Sequence, residues 1–476
     1  TAEEYASLTA IRINKEEKTI EYYLYDDQDY QSLSYKSDYG RAVGDLASFT
    51  GLEWISIDDD LEKGDLDGLD FLYGVHTENT IKEYLEIIPH PENIVDLTVE
   101  DDFLERSLSG LEQFPSLEYL YVNYSYVEDI SVLSQFPGLV ELTLSDCNRV
   151  TDFSPLMSLT GLEELSIESY NMKSIDFIKN MPNLKSLSIE ASQLSSLDAL
   201  GSCPGLNYLY LYLDDNYSIR DYYIISGMEN LSELVLEMGF SFDPDAVPLS
   251  FEKLTQLEYL SLKNAKDLSS LKDAAGLTYL SLENCSGWEL EAITSLQELT
   301  VLSIFDFSSY VDSLEPLTRL PKLAALNLEG TSVFGDIEEI FGIPTLQYLY
   351  LDDCQVGLNF DKLPDNESLT TLSLDDITIL KNPTYNNGDA VSLSDHYDMY
   401  DHYPTLPTLY LSSLDLYNID FVEKLPNLQY LDITDNNVTS LKPLENLSHF
   451  EVVWCGKNTI LENVSEDSGI WVIMED

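Results

Sequence analysis

Five cysteines, five histidines and 86 acidic residues are the groups in this chain that carry recognisable chemistry. Only the stretch SDHYDMYDHY (394–403) sets two histidines among carboxylates: His396, Asp398, Asp401 and His402. These side chains ligate divalent metals. However, five residues separate the two histidines, which matches no helical ligand pair. The competing reading is a surface loop that touches a partner, inside an insertion covering 375–405. A second acidic run, DDDLEKGDLDGLD (58–70), has the density of a calcium loop without its frame, because no glycine sits at position six behind acids at one, three and five. A weak calcium site and a solvated acidic turn both remain open there. Cys147, Cys285, Cys354 and Cys455 each follow the last apolar residue of a short alternating segment by three positions, where Asn436 stands in another copy. Cys285 and Cys354 lie three copies apart, roughly 14 Å at about 4.8 Å per strand, whereas a disulfide needs Cα atoms within about 7 Å. Buried thiols that serve the backbone are therefore expected, without disulfides or metal. Glycine-rich phosphate loops, G-x-S-x-G and HExxH are absent from the sequence. Acids are so abundant that no pair stands out as acid and base. The sequence thus nominates no catalytic residue, no metal ligand and no cofactor.

The charge balance narrows the partners. With 24 Lys+Arg against 86 Asp+Glu, the net charge is −62. Phosphate backbones and anionic membranes are repelled by such a surface, and cationic surfaces are attracted. Nucleic acid and membrane insertion are excluded as partners, and a soluble monomer is expected. Apolar residues make up 44% of the chain, enough for a packed core, yet no run approaches the roughly 20 residues of a membrane helix. The opening TAEEYASL has no initiator Met, basic segment or apolar stretch, as expected of a mature or trimmed product.

The elements that position these groups come from one unit repeated. The frame L-x-x-L-x-L begins at Ile94, Leu117, Leu139, Leu162, Leu184, Leu206, Leu231, Leu257, Leu277, Leu299, Leu323, Leu346, Leu369, Leu406 and Leu428, with less regular copies at Leu52 and Leu447. In each copy a segment such as LEELSI (162–167) reads as a strand with one aliphatic face. The return VTDFSPLMSLTG (150–161) has apolar residues every third position, the period of a 3₁₀ turn, and Pro155, Pro316 and Pro443 suit the start of such turns. One copy cannot bury its apolar side alone, but a stack can. VTDFSPLMSLTGLEELSI and VTSLKPLENL resemble the 22-residue leucine-rich repeats of bacterial internalins and the related SDS22-like class, over roughly 94–450. The resemblance implies an α/β solenoid: a leucine-rich-repeat horseshoe with a parallel concave β-sheet and a convex side of 3₁₀ and short helices. It also implies a non-enzymatic protein-binding role on the concave sheet and export to the bacterial surface or beyond. The family's helical N-terminal cap and wall-anchor motifs are missing. Three parts are expected: an N-terminal cap over 1–93 (hairpin, irregular first repeat, short helix near 79–88), the array over 94–449, and a C-terminal β cap over 450–476.

The third, fifth and seventh residues of the frame point away from the core. Fifteen regular copies contribute three such positions each, 45 in all; eleven are Tyr, thirteen Asp or Glu, fourteen Ser or Thr, and one is Lys (Lys263). Strand propensity alone would favour Val and Ile equally, yet Val fills two positions and Ile none. Tyrosine with serine makes rigid contact area with polar tips, and interleaved carboxylates select a cationic partner. The contact residues expected are Tyr119, Tyr121, Tyr208, Tyr210, Tyr212, Glu233, Glu237, Tyr259, Tyr279, Tyr348, Tyr350, Asp352, Tyr410 and Tyr430. The strongest patch should centre on Tyr208, Tyr210 and Tyr212, with Glu190, Glu233 and Glu237 beside them. Two other readings compete: the rings stabilise the sheet, or they stack on sugars of a carbohydrate or cell-wall polymer.

Overall fold

The computed structural model describes residues 8–14, 19–24, 31–34, 52–57, 60–100, 106–123, 126–213, 219, 221–238, 249–265, 268–285, 290–305, 313–384 and 387–474. Two packing units divide the chain: 1–231 with 236–247, and 232–235 with 248–476. Strand Glu233–Met238 is shared between them.

In the first unit the strands Asp96–Val99, Tyr119–Val122, Glu141–Leu144, Glu164–Glu168, Ser186–Glu190 and Tyr208–Leu213 pair in parallel, each against the next. Leu97, Leu120, Leu142, Leu165, Leu187 and Leu209 occupy one continuous row. The frame sets this register, because a slip of one residue would turn every leucine to solvent. The returns are 3₁₀ segments, Ser131–Gln135, Ser154–Ser158, Asp176–Asn180 and Asp198–Ser202, and Pro155 sits in the first turn of its segment as expected.

Two strands extend the sheet upstream. Trp54–Ile57, the less regular Leu52 copy, pairs with Gly74–His76, which pairs with the Asp96 strand. An antiparallel meander of Leu8–Asn14, Thr19–Leu24 and Gln31–Ser34 joins through Leu8–Asn14, parallel to Trp54–Ile57. The expected helix forms over Ile81–Ile87. It opens on a capping box, Thr80 with Glu83, and buries Ile81, Tyr84 and Ile87. The Tyr84 hydroxyl donates to the Thr98 carbonyl at 2.7 Å, tying the helix to the next strand.

The second unit repeats the plan from Tyr259–Lys263 through Tyr279–Glu283, Val301–Phe305, Ala325–Asn327, Tyr348–Tyr350, Thr371–Ser373, Thr408–Tyr410, Tyr430–Asp432 and Val452–Trp454 to Trp471–Ile473. A second sheet forms beside it from Ser332–Asp336, Gln355–Gly357 and Thr378–Thr384, all parallel. Asn387–Ala390 adds an antiparallel strand. The 375–405 insertion is therefore a hairpin followed by 3₁₀ turns at Leu393–Asp395 and Tyr397–His402.

The turn leaving many strands follows one rule. The residue two past the last inward side chain has positive φ: Asp146, Asn264, Asn284, Gly330, Asp353, Asp376, Ser413, Asp435 and Lys457. Asp, Asn and Gly tolerate this left-handed conformation best, which explains the DC, NC and DN pairs in the sequence. The following residue turns inward. In Asn436 the side-chain nitrogen donates to the carbonyls of Leu411 and Ile433 at 2.8 and 2.9 Å, and its oxygen accepts from the amides of Leu414 and Leu416 at 3.0 and 2.9 Å. Cys147, Cys285 and Cys354 hold this inward position as expected, with their thiols on the Ser145, Leu262 and Leu328 carbonyls. Cys455 is a correction. Val453 pairs with Leu431, so Cys455 is the last inward residue of its strand and Asn458 takes the turn position. The final copy starts at Phe450 in place of Leu447, so counting from Leu447 misplaced that cysteine. All five cysteines are buried thiols.

Candidate functional site

Alternation divides every strand sharply. Leu209, Leu211 and Leu213 are fully buried, while Tyr208, Tyr210 and Tyr212 between them are half-buried on the outward face. Each tyrosine lies in register beside a smaller or charged residue: Ser186, Ser188 and Glu190 respectively. Burial pushes the Glu190 carboxyl up, and Glu168 and Glu237 push it further. Burial is the larger cause; the second is electrostatic crowding on a face where the fifteen regular copies place a single lysine outward. Glu233 stands exposed at the start of its strand.

In the second unit, Tyr259 and Tyr279 are neighbours in register, and their rings stack at 4.2 Å and 6°. Lys263 reaches Glu283 at 3.2 Å on the same pair of strands. Tyr350 and Tyr410 flank Ser373, and Tyr348 lies at the edge of this group, 41% exposed. Burial raises the Tyr350 phenol first, followed by Tyr410, Tyr348 and Asp352. Asp352 accepts from the Ser373 hydroxyl at 2.5 Å and the Asp375 amide at 3.2 Å, and burial still holds its carboxyl above the usual range. Asp375 is raised likewise, with Asp352 and Asp432 contributing. The Tyr430 hydroxyl donates to Glu451 at 2.9 Å.

In the first unit, Tyr119 lies between Asp96 and Glu141, and Tyr121 between Thr98 and Thr143. Tyr121 hydrogen-bonds Glu141, and burial raises both groups. Frame counting from Ile94 missed the residues next to this pair, because the two upstream copies lack the leucine pattern. The Trp54 indole donates to Asp96 at 3.2 Å, and His76 pairs with the other oxygen of Asp96 at 2.7 Å. Trp54 occupies the third position of the copy at Leu52, so extending the frame upstream would have found it.

His396, His402 and Asp401 of the SDHYDMYDHY stretch each have a separate partner. His396 stacks on Phe360 at 4.0 Å, His402 pairs with Asp365 at 2.7 Å, and Asp401 takes Lys424 at 2.5 Å. Tyr400 and Tyr403 are core residues, packed on Phe421 and Phe341. Among the described residues no three metal-type ligands come together, and no helix is long and apolar enough to cross a membrane. Asp58 and Asp59 of the acidic run lie outside the described residues.

Parallel in-register strands, 3₁₀ returns and inward leucine rows define a leucine-rich-repeat protein, a fold that supports protein-binding scaffolds. No protein-family model matches the chain. Among solved structures it is similar to a leucine-rich-repeat protein of Leptospira interrogans, with a TM-score of 0.50 and 19% identity, covering 77% of this chain and 98% of that one. It is also similar to the functional domain of InlJ of Listeria monocytogenes, with a TM-score of 0.48 and 17% identity, covering 79% and 76%. A curated relative is the protein phosphatase 1 regulatory inhibitor subunit PPP1R7 homolog of Arabidopsis thaliana, 27% identical over 171 residues, 33% of this chain and 52% of the relative. The chain thus spans about half the length of the curated relative it matches.

Proposed function

We propose that this chain is a non-enzymatic scaffold that holds a protein partner with a basic surface against the outward face of its sheet. One observation carries the reading. Half-buried tyrosines are held in register beside carboxylates such as Glu190 whose charges crowd one another. A lysine or arginine laid across the rings relieves that crowding, and rings already fixed in place lose little entropy on contact. The raised carboxylates stand in rows on an open sheet face, a poor place for acid–base catalysis.

An exported or surface setting follows from the resemblance to internalins. Buried thiols fit either redox compartment, and the plant relative's name, a regulatory inhibitor subunit, fits a binding role. Sugar binding is less favoured, because it needs open ring faces. Tyr259 and Tyr279 each spend one face on the other.

Changing Tyr208, Tyr210 and Tyr212 together to Ser tests the proposal by quantitative pull-down at low and high salt. Loss of a salt-sensitive basic partner supports it. Retention on a glycan array that survives high salt would favour the polymer reading, since apolar stacking is unscreened.

A further inference from the structure

The upstream corner of the first unit differs from the rest of the outward face, because its rings are locked by the fold. Trp54 lies across Gly74 so closely that a Cβ there would stand 2.0 Å from the indole Cδ1. Both oxygens of Asp96 are engaged, one by the Trp54 indole at 3.2 Å and the other by His76 at 2.7 Å. The His76 ring sits 5.2 Å from Trp54 and 5.4 Å from Tyr121, tilted by 53° and 52°. Beyond Tyr121, Glu141 and Glu164 are partners in register on neighbouring strands. Tyr121 hydrogen-bonds Glu141, and Glu164 is exposed.

We infer that this corner is the seat for one arginine side chain of the protein partner, its guanidinium on the Tyr121 ring and its nitrogens on Glu141 and Glu164. The inference rests on the basic-partner reading of the sheet face and adds a particular contact to it. Both oxygens of Asp96 already have donors, and its charge adds to that of Glu164 in raising the Glu141 carboxyl. Burial and the neighbouring Glu164 both hold the Glu141 carboxyl above its usual range, against the hydrogen bond from Tyr121. A cation between them would remove that repulsion. Among the described residues, no outward position on the six strands from Trp54–Ile57 to Glu164–Glu168 is Lys or Arg. These six strands therefore supply no lysine or arginine of their own; the outward arginine nearest upstream, Arg12, stands beside Ser56 on the next strand, five strands from Glu141. Adjacent strands stand about 4.8 Å apart, and a planar guanidinium offers two such carboxylates five donors in a fixed fork, where an ammonium is a compact, strongly hydrated point charge. Guanidinium also stacks on an aromatic face.

The test uses Trp54 as reporter, in the full chain with Trp288, Trp454 and Trp471 changed to Phe. The probes are the Nα-acetyl amides of arginine, lysine and glutamine at low salt. A saturable Trp54 emission change with arginine is expected, several-fold weaker with lysine and absent with glutamine. Glu141→Gln with Glu164→Gln should weaken arginine at least tenfold while the urea midpoint holds or rises. An absent arginine response, an equal response to glutamine, or full binding by the double variant would overturn the seat. A lysine response as strong as that of arginine would overturn the guanidinium assignment. Basic-partner capture that depends on Tyr208–Tyr212, with no Trp54 response, sinks the seat alone. A Trp54 response with partner capture absent or unaffected by salt sinks the wider reading alone.

Discussion

Leu209 and Tyr210 are chain neighbours on one strand, and the fold assigns them opposite roles. Leu209 is fully buried in the inward row beside Leu187, whereas Tyr210 is half-buried beside Ser188. Leu209→Ala removes three carbons from a site where flanking coils cannot close, a loss of about 3–4 kcal/mol. Tyr210→Ser removes one cross-strand contact on an open face, a loss of about 0.5–1 kcal/mol. Urea unfolding followed by far-UV circular dichroism separates the two. With m about 3 kcal/mol per molar, Leu209→Ala lowers the midpoint of the transition by roughly 1 M and Tyr210→Ser by under about 0.3 M. Leu209→Asp, which buries an unpaired charge, should abolish the folded baseline. A Tyr210→Ser loss equal to that of Leu209→Ala would refute the assignment of faces and, with it, the binding role of the tyrosines.

Asn436→Ala takes the side-chain partner from the Leu414 and Leu416 amides and the Leu411 carbonyl, while the Ile433 carbonyl keeps Asn458, and should cost about 3 kcal/mol in the same assay; a cost below about 1 kcal/mol would contradict the ladder role. The raised carboxyls of Glu190, Asp352 and Asp375 bind protons more tightly folded than unfolded, so stability should rise as pH falls from 7 toward the ordinary carboxylate range and fall again as pH rises through the raised values. Glu190→Gln with Asp375→Asn should flatten that slope between pH 7 and 5, and an unchanged slope would be a failure. Gly74→Ala should displace the indole from Asp96 and red-shift Trp54 emission, where an unshifted spectrum would show the close contact to be absent. Burial pushes the Cys203 thiol up to about 11 and that of Cys354 up to about 12. Native protein should therefore resist thiol reagents that label it fully in urea, and rapid native labelling would contradict the burial.

The array was legible because its signal is redundant: one inward leucine row, repeated, leaves a single register that buries it. The same count failed where copies are irregular. Gly74 replaces a side chain to seat Trp54, and a glycine carries no hydropathy signal. The last copy starts three residues later than its leucine suggests, which displaced Cys455 by one role. The 375–405 insertion read as a loop because the pairing of its first strand, Thr378–Thr384 with Gln355–Gly357, is nonlocal. Tyr400 and Tyr403 looked like surface residues beside acids, yet they continue the three-residue period of a return and fill the core. The αL turns were written plainly as Asp and Asn two residues past each strand, a signal the leucine count passes over.

The central claim is that tyrosines of the outward face hold a cationic partner while the leucines between them hold the fold. Quantitative pull-down on the wild-type chain and on the Tyr208, Tyr210 and Tyr212 triple Ser variant, with urea midpoints measured on the same samples, tests it most directly. The expected result is a basic protein retained by the wild type at low salt and lost from the variant, with the midpoints within about 1 M urea of each other for three small face losses. Equal retention by both proteins, or a variant that no longer folds, would contradict it.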